Sequence, residues 1–152
     1  MDAKQEGIVF MSSFSVELDR KRLCRFVFEA HLWDFRLNRF GEATDVLLDT
    51  GSFNTIVHES LIKKYGIILN QTMKTRVGGF QGNANVCIID KIKIGGHVLE
   101  KVAALSVPFE GELKDHILLG ANVINNWKFL ISRLENKMDV MEQFSNDVLQ
   151  RQ

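Results

Sequence analysis

The sequence predicts a mainly β protein in one domain, and three observations carry that expectation, two for the class and one for the domain count. Its 152 residues contain one proline and eleven glycines, so turns must be made by Gly, Asn and Asp. Short runs of Val, Ile, Leu and Phe recur at strand length, bounded by those turn residues. The length fits one domain with a real core and is small for two.

Taken in order, residues 1–22 have weak periodicity and are expected to be an N-terminal arm or an extra strand. "RFVFEAHLW" (25–33) alternates as a strand, "DFRLNRFGEA" reads as a long polar connection, and "TDVLLD" reads as the next strand. In "IVHESLIKKYGI", Val57, Leu61, Ile62 and Tyr65 share a helical face and Gly66 is the stop, which predicts a short helix. "KTRVGGFQGNANVCIID" has two β-rich arms around a glycine-bearing tip, and "KIKIGGHVLEKVAALSV" repeats the arrangement around Gly95 and Gly96. "HILLG" is then a short buried strand, "ANVINNW" one or two helical turns, and "KFLISRLENKMDVM" a closing hairpin around Glu135 to Lys137. Residues 143–152 are expected to be a polar tail.

Lys+Arg and Asp+Glu both number 19, so no long-range field favours nucleic acid or an anionic membrane as partner. The most apolar part of the N-terminus, "IVFMSSF" (8–14), is too short and too hydroxyl-rich for a signal core or a span, and a soluble cytoplasmic protein is expected. Cys24 and Cys87 are far apart, match no metal or redox spacing and are expected to be small buried side chains. "HES" (58–60) begins like a helical zinc motif, but Ile62 stands where the second histidine is needed. The four histidines are read as surface or satisfied core residues. "GGFQG" (78–82) lacks the Lys-Ser/Thr of a phosphate loop, and no Gly-x-Ser-x-Gly elbow occurs.

"VLLDTGSFNTIV" (46–57) is where chemistry concentrates. A bare Asp-Thr-Gly is ordinary turn chemistry, with the aspartate accepting backbone N–H groups and Gly51 completing the bend. Here the triplet follows an apolar run expected to bury Asp49, and a buried unpaired carboxylate shifts its pKa or finds a partner. Small or hydroxyl residues follow through Ser52 and Thr55 before the chain returns to apolar Ile56 and Val57.

"LLDTGSFNTIV", the glycine-tipped "TRVGGFQGNANV" and "ILLGANVINNWKFLI", in that order, resemble the retropepsin-like aspartic proteases, single-domain relatives of pepsin. "ISRLENKMDV" is similar to the closing hairpin of cellular and bacterial members. The resemblance covers roughly residues 25–142 and implies a closed acid-protease β-barrel with a flap hairpin and one or two short helices, residues 23–142 forming the protease domain. Ser52 stands where retroviral members usually have Ala, the segment from Trp33 to Ala43 looks long, and the N-terminal segment has no counterpart in the pattern.

The resemblance implies that Asp49 is catalytic. One Asp-Thr-Gly per chain then requires a two-fold homodimer, because one carboxylate cannot activate water and protonate the substrate carbonyl at once. It further implies that Thr50 locks the two turns across the dimer, that Gly51 admits the substrate and that Ser52 hydrogen-bonds near the carboxylate. Gly78, Gly79, Phe80 and Gly82 would form the mobile flap over an extended peptide or protein substrate. Leu118, Leu119 and Gly120 would support the site from beneath. No cofactor and no metal is implied. A non-catalytic dimerisation or peptide-binding module on the same fold is the alternative, and a plain structural β domain is a third reading that leaves Asp49 and the flap glycines without a common cause.

Overall fold

The computed structural model describes residues 10–22, 25–77, 80–108 and 116–144. Ten strands and two short helices occur in these: β1 (Phe10–Glu17), β2 (Val27–Asp34), β3 (Arg39–Leu48), β4 (Thr55–His58), α1 (Glu59–Tyr65), β5 (Leu69–Val77), β6 (Phe80–Ile94), β7 (His97–Val107), β8 (Ile117–Leu119), α2 (Ala121–Ile124), β9 (Trp127–Ser132) and β10 (Lys137–Phe144). The order β2-β3-β8-β4-β7-β6-β5 makes one sheet, and pairing of β6 back onto β2 at His31↔Lys93 and Leu32↔Ile92 closes six of these strands into a barrel. Closure removes the edges of those six strands and leaves β5, paired only with β6, outside the ring. The expected mainly β barrel is therefore observed.

Local chemistry explains the connections. Gly95 and Gly96, at φ 55° and 83°, form the two-residue turn between Ile94 and His97, a left-handed pair that matches strand twist. Gly66 (φ 67°) ends α1 and returns its N–H to the Ile62 carbonyl, while the His58 side chain accepts from Ser60 N at the other end.

The expected long connection over residues 34–43 is instead a tight turn at 35–38 leading straight into β3. The Asp34 carboxylate accepts from Arg36 N (2.8 Å) and Leu37 N (3.2 Å), Asn38 takes φ 54°, and Trp33 and Asp34 pair with Phe40 and Arg39. The closing turn likewise falls at 133–136, with β10 beginning at Lys137.

Within residues 1–22, β1 pairs antiparallel with β10, which pairs with β9, and Phe14, Val16 and Leu18 enter the main core. That core fills the barrel with Phe28, Leu32, Ile89, Ile92, Ile117 and Leu119 among others. A second, smaller cluster lies elsewhere: Ile56, Ala84, Leu105, Val107 and Leu118, flanked by Leu47 and Val86. Cys87 is a free, buried thiol, and Cys24 lies outside the described residues. No helix among the described residues is long and apolar enough to cross a membrane.

Candidate active site

Asp49 lies just past the end of β3, where the strand's last pair is Leu48 with Leu119 of β8. Its N–H continues the ladder to the Leu119 carbonyl (3.0 Å), so the catalytic candidate is hung on β8 by its own backbone. Its carboxylate is half-buried rather than buried, because the apolar strand stops one residue short, and Oδ1 accepts from Gly51 N at 3.1 Å. Ser52 N donates to the Asp49 carbonyl (3.3 Å), which closes the turn.

The remaining turn residues divide in role. Thr50 and Gly51 face solvent. The Ser52 hydroxyl donates to the Asn54 carbonyl (2.8 Å), a bond that braces the turn three residues after Asp49. Phe53 is 72% exposed although its backbone is fixed, its carbonyl accepting from Asn122 N at 2.9 Å.

β8 is the platform. It runs parallel to β3 on one side and antiparallel to β4 on the other, so the strand entering the turn pairs with Ile117, Leu118 and Leu119 and the strand leaving it pairs with Ile117 and Leu118. Alternation splits those residues: Ile117 and Leu119 point into the barrel core, and Leu118 into the second cluster. Gly120 then touches the turn. A Cβ there would lie 2.2 Å from the Asn54 carbonyl oxygen and 2.9 Å from that of Ser52, so only glycine fits. Just beyond, Ala121 N donates to the Ser52 carbonyl (2.8 Å).

The arms of the glycine-tipped hairpin pair from Leu69↔Cys87 to Val77↔Phe80, with Gly82 inside β6 opposite Thr75. Gly78 and Gly79 lie outside the described residues, as does the side chain of Phe80. The hairpin reaches the turn through the sheet, β6 pairing with β7 and β7 with β4, and through Ala84 and Val86 in the second cluster. Asp49 through Ser52 and Leu118 through Gly120 are thus brought together directly, and the hairpin joins them two strands away.

Each histidine has a polar neighbour: His31 the Gly41 carbonyl, His58 Ser60, His97 Ser12 at Nδ1, and His116 Arg22 and Asp45. Among the described residues no group of three His, Cys, Asp or Glu is placed to hold a metal ion. Thr55, noted in the sequence as a hydroxyl following the triplet, and Asn122, which sequence reasoning passed over, hydrogen-bond across the turn (2.8 Å). Their only signal in the sequence is a hydroxyl at the start of β4 and an amide two positions after Gly120.

A closed six-stranded barrel carrying an Asp-Thr-Gly turn on a strand pair of this kind defines the retropepsin-like fold. The family model described as "gag-polyprotein putative aspartyl protease" matches residues 34–126, and the chain belongs to that family. Among solved structures, a retropepsin-like aspartic protease from Rickettsia conorii is similar at a TM-score of 0.58 and 15% identity, over 90% of this chain and 95% of that one. The retroviral protease-like domain of Ddi1 from Leishmania major scores 0.49 at 13% identity (88% and 98% covered). EIAV protease complexed with the inhibitor HBY-793 scores 0.43 at 17% identity (66% and 86% covered). No curated protein sequence matches significantly.

Proposed function

We propose that the protein is an aspartic endopeptidase in which a water molecule is activated between two Asp49 carboxylates, one from each subunit of a two-fold homodimer. The observation that carries this reading is the turn itself: one Asp-Thr-Gly per chain, its aspartate set at the end of β3 and fixed to β8 within a retropepsin-like barrel. Carboxylate hydrolysis needs one group ionised to deprotonate water and one protonated to polarise the scissile carbonyl. Two carboxylates about 3 Å apart cannot both ionise cheaply, so the pair shares one proton. Activity then favours the acidic side of neutrality.

Thr50 and Gly51, exposed in the single chain, suit a surface that a second copy and a substrate cover. Thr50 would bond across the dimer axis and Gly51 would admit the substrate backbone. The end of the β5–β6 hairpin, with Gly78, Gly79, Phe80 and Gly82, would act as the flap over an extended peptide, held by backbone hydrogen bonds with alternate side chains in pockets. A cytoplasmic location belongs to the same proposal and is checked by fractionating cells that express the chain.

The test is cleavage of an unfolded protein substrate from pH 3 to pH 7 by wild type and Asp49→Asn, with pepstatin as control, alongside sedimentation equilibrium. Acid-favoured cleavage that disappears in a folded, dimeric Asp49→Asn protein is the expected result. Substantial activity in the variant, or a wild type that stays monomeric at every concentration while cleaving, would defeat the dyad. A dimer that binds peptides without cleaving them would mark a binding module instead.

A further inference from the structure

Beside the turn, three hydrogen bonds run in one direction through two side chains. Gly120 N donates to Thr55 Oγ1 (3.2 Å), Thr55 Oγ1 donates to Asn122 Oδ1 (2.8 Å), and Asn122 Nδ2 donates to the Ala103 carbonyl (2.8 Å). Thr55 is completely buried, so its hydroxyl has no water to fall back on. The relay also fixes the Asn122 amide. Turned over, it would set an NH2 group against the position of the hydroxyl proton and an oxygen against the Ala103 carbonyl. Donors aligned head to tail strengthen one another.

The relay joins the exit of the turn to the segment that holds its entrance. Asp49 is tied to Leu119 by its own N–H, and Thr55, at the start of β4, is tied to Gly120 and Asn122. Between these anchors Gly51 N and Ser52 N bond back to Asp49, which makes residues 49–55 one closed unit. Asn122 extends the tie to β7 at Ala103, the strand that pairs with both β4 and the hairpin strand β6.

We propose that Thr55 and Asn122 are positioning residues that set the orientation of the Asp49 carboxylate without touching the reacting atoms. For its catalytic consequence the inference rests on the protease reading above. Freed at Thr55, the turn keeps its entrance bond and the backbone bonds from Ala121 N and Asn122 N to Ser52 and Phe53 but loses the side-chain tie at its exit, which loosens the loop that carries the carboxylate. A misplacement of about 1 Å at a reacting group can lower a rate on the order of 100-fold.

The experiment compares Thr55→Val, which keeps the shape and removes the hydroxyl, Thr55→Ser, which restores the hydroxyl, and Asn122→Ala. Steady-state kinetics and residue-resolved amide hydrogen exchange are measured on the same preparations. Thr55→Val and Asn122→Ala are expected to lower kcat roughly 10- to 100-fold with KM changed less than about threefold. Exchange should quicken selectively at Gly51, Ser52 and Gly120, and Thr55→Ser should restore both readouts. If Thr55→Val keeps the wild-type kcat per folded molecule, or if exchange quickens evenly across the barrel strands, the two residues are merely structural and the proposal is overturned. A wild type that cleaves nothing defeats the protease reading alone. The exchange pattern then still decides the relay, because selective loosening of residues 49–55 in Thr55→Val supports it and an unchanged turn rejects it.

Discussion

Replacing Gly120 by alanine tests the fit of the turn on its platform with a single methyl group. The added Cβ would stand 2.2 Å from the oxygen and 2.5 Å from the carbon of the Asn54 carbonyl, and 2.9 Å from the Ser52 carbonyl oxygen. These are backbone atoms and cannot rotate away as a side chain would. Relief requires the 52–54 segment to move off by about 1 Å, at an overpacking cost of about 1–3 kcal/mol. The same movement stretches three hydrogen bonds, Ala121 N to Ser52 O (2.8 Å), Asn122 N to Phe53 O (2.9 Å) and Gly120 N to Thr55 Oγ1 (3.2 Å). Each contributes about 1 kcal/mol net, so the total loss is about 4–6 kcal/mol. At this chain length that lowers the thermal midpoint by roughly 10–20 °C. Gly96→Ala is the control, since no atom lies within 4 Å of its added Cβ and only its φ of 83° is unfavourable; it should lose about 1 kcal/mol. Thermal unfolding followed by circular dichroism measures both. A Gly120→Ala midpoint within about 2 °C of wild type, or no lower than that of Gly96→Ala, would refute the argument from close approach.

Two further outcomes are expected away from the turn. Glu142 is buried, and its Oε2 accepts from Trp127 Nε1 at 2.7 Å, while His97 Nε2 lies 3.4 Å from Oε1 without hydrogen-bond alignment. Glu142→Ala strands the buried indole N–H and should cost about 1–3 kcal/mol in urea unfolding, with Glu142→Gln retaining most of the stability; equal losses for the two would show that the hydrogen bond is not what matters. Burial raises the Cys87 thiol from the ordinary 9.0 to about 11. In a Cys24→Ser background, where Cys87 is the remaining thiol, the folded protein should therefore react with a thiol reagent at pH 8 only after unfolding. Its contribution to stability is full below the unfolded value and is lost as pH rises through the folded one. Rapid labelling of the native protein would contradict this.

How much of this was legible in the sequence depends on the range of each interaction. Strands such as Val27–Asp34 and Ile117–Leu119 could be read because alternation or an apolar run is written locally, and the turn at Gly95 and Gly96 because two adjacent glycines permit left-handed backbone. The hairpin joining β2 to β3 was missed because its residues are polar or exposed and look like a loop. What makes it a turn is the Asp34 carboxylate closing on the N–H groups of Arg36 and Leu37. The half-burial of Asp49 depended on where β3 stops against β8, which the triplet does not encode. The Thr55–Asn122 bond spans 67 residues, and no local pattern at either end announces the other.

The insertion of β8 between β3 and β4 also dictates an order of assembly. The strands on either side of the Asp49 turn are adjacent in the chain but do not pair with each other, and the three residues between them arrive from far downstream. Loop-closure entropy makes such contacts late. During synthesis the turn has nothing to rest on until residues 117–122 have emerged, so the hairpins of the wall can form while the aspartate still lies on a slack loop. Completion of the Asp49 turn would thus be among the last steps of folding, a built-in delay between forming the wall of the barrel and finishing the candidate site.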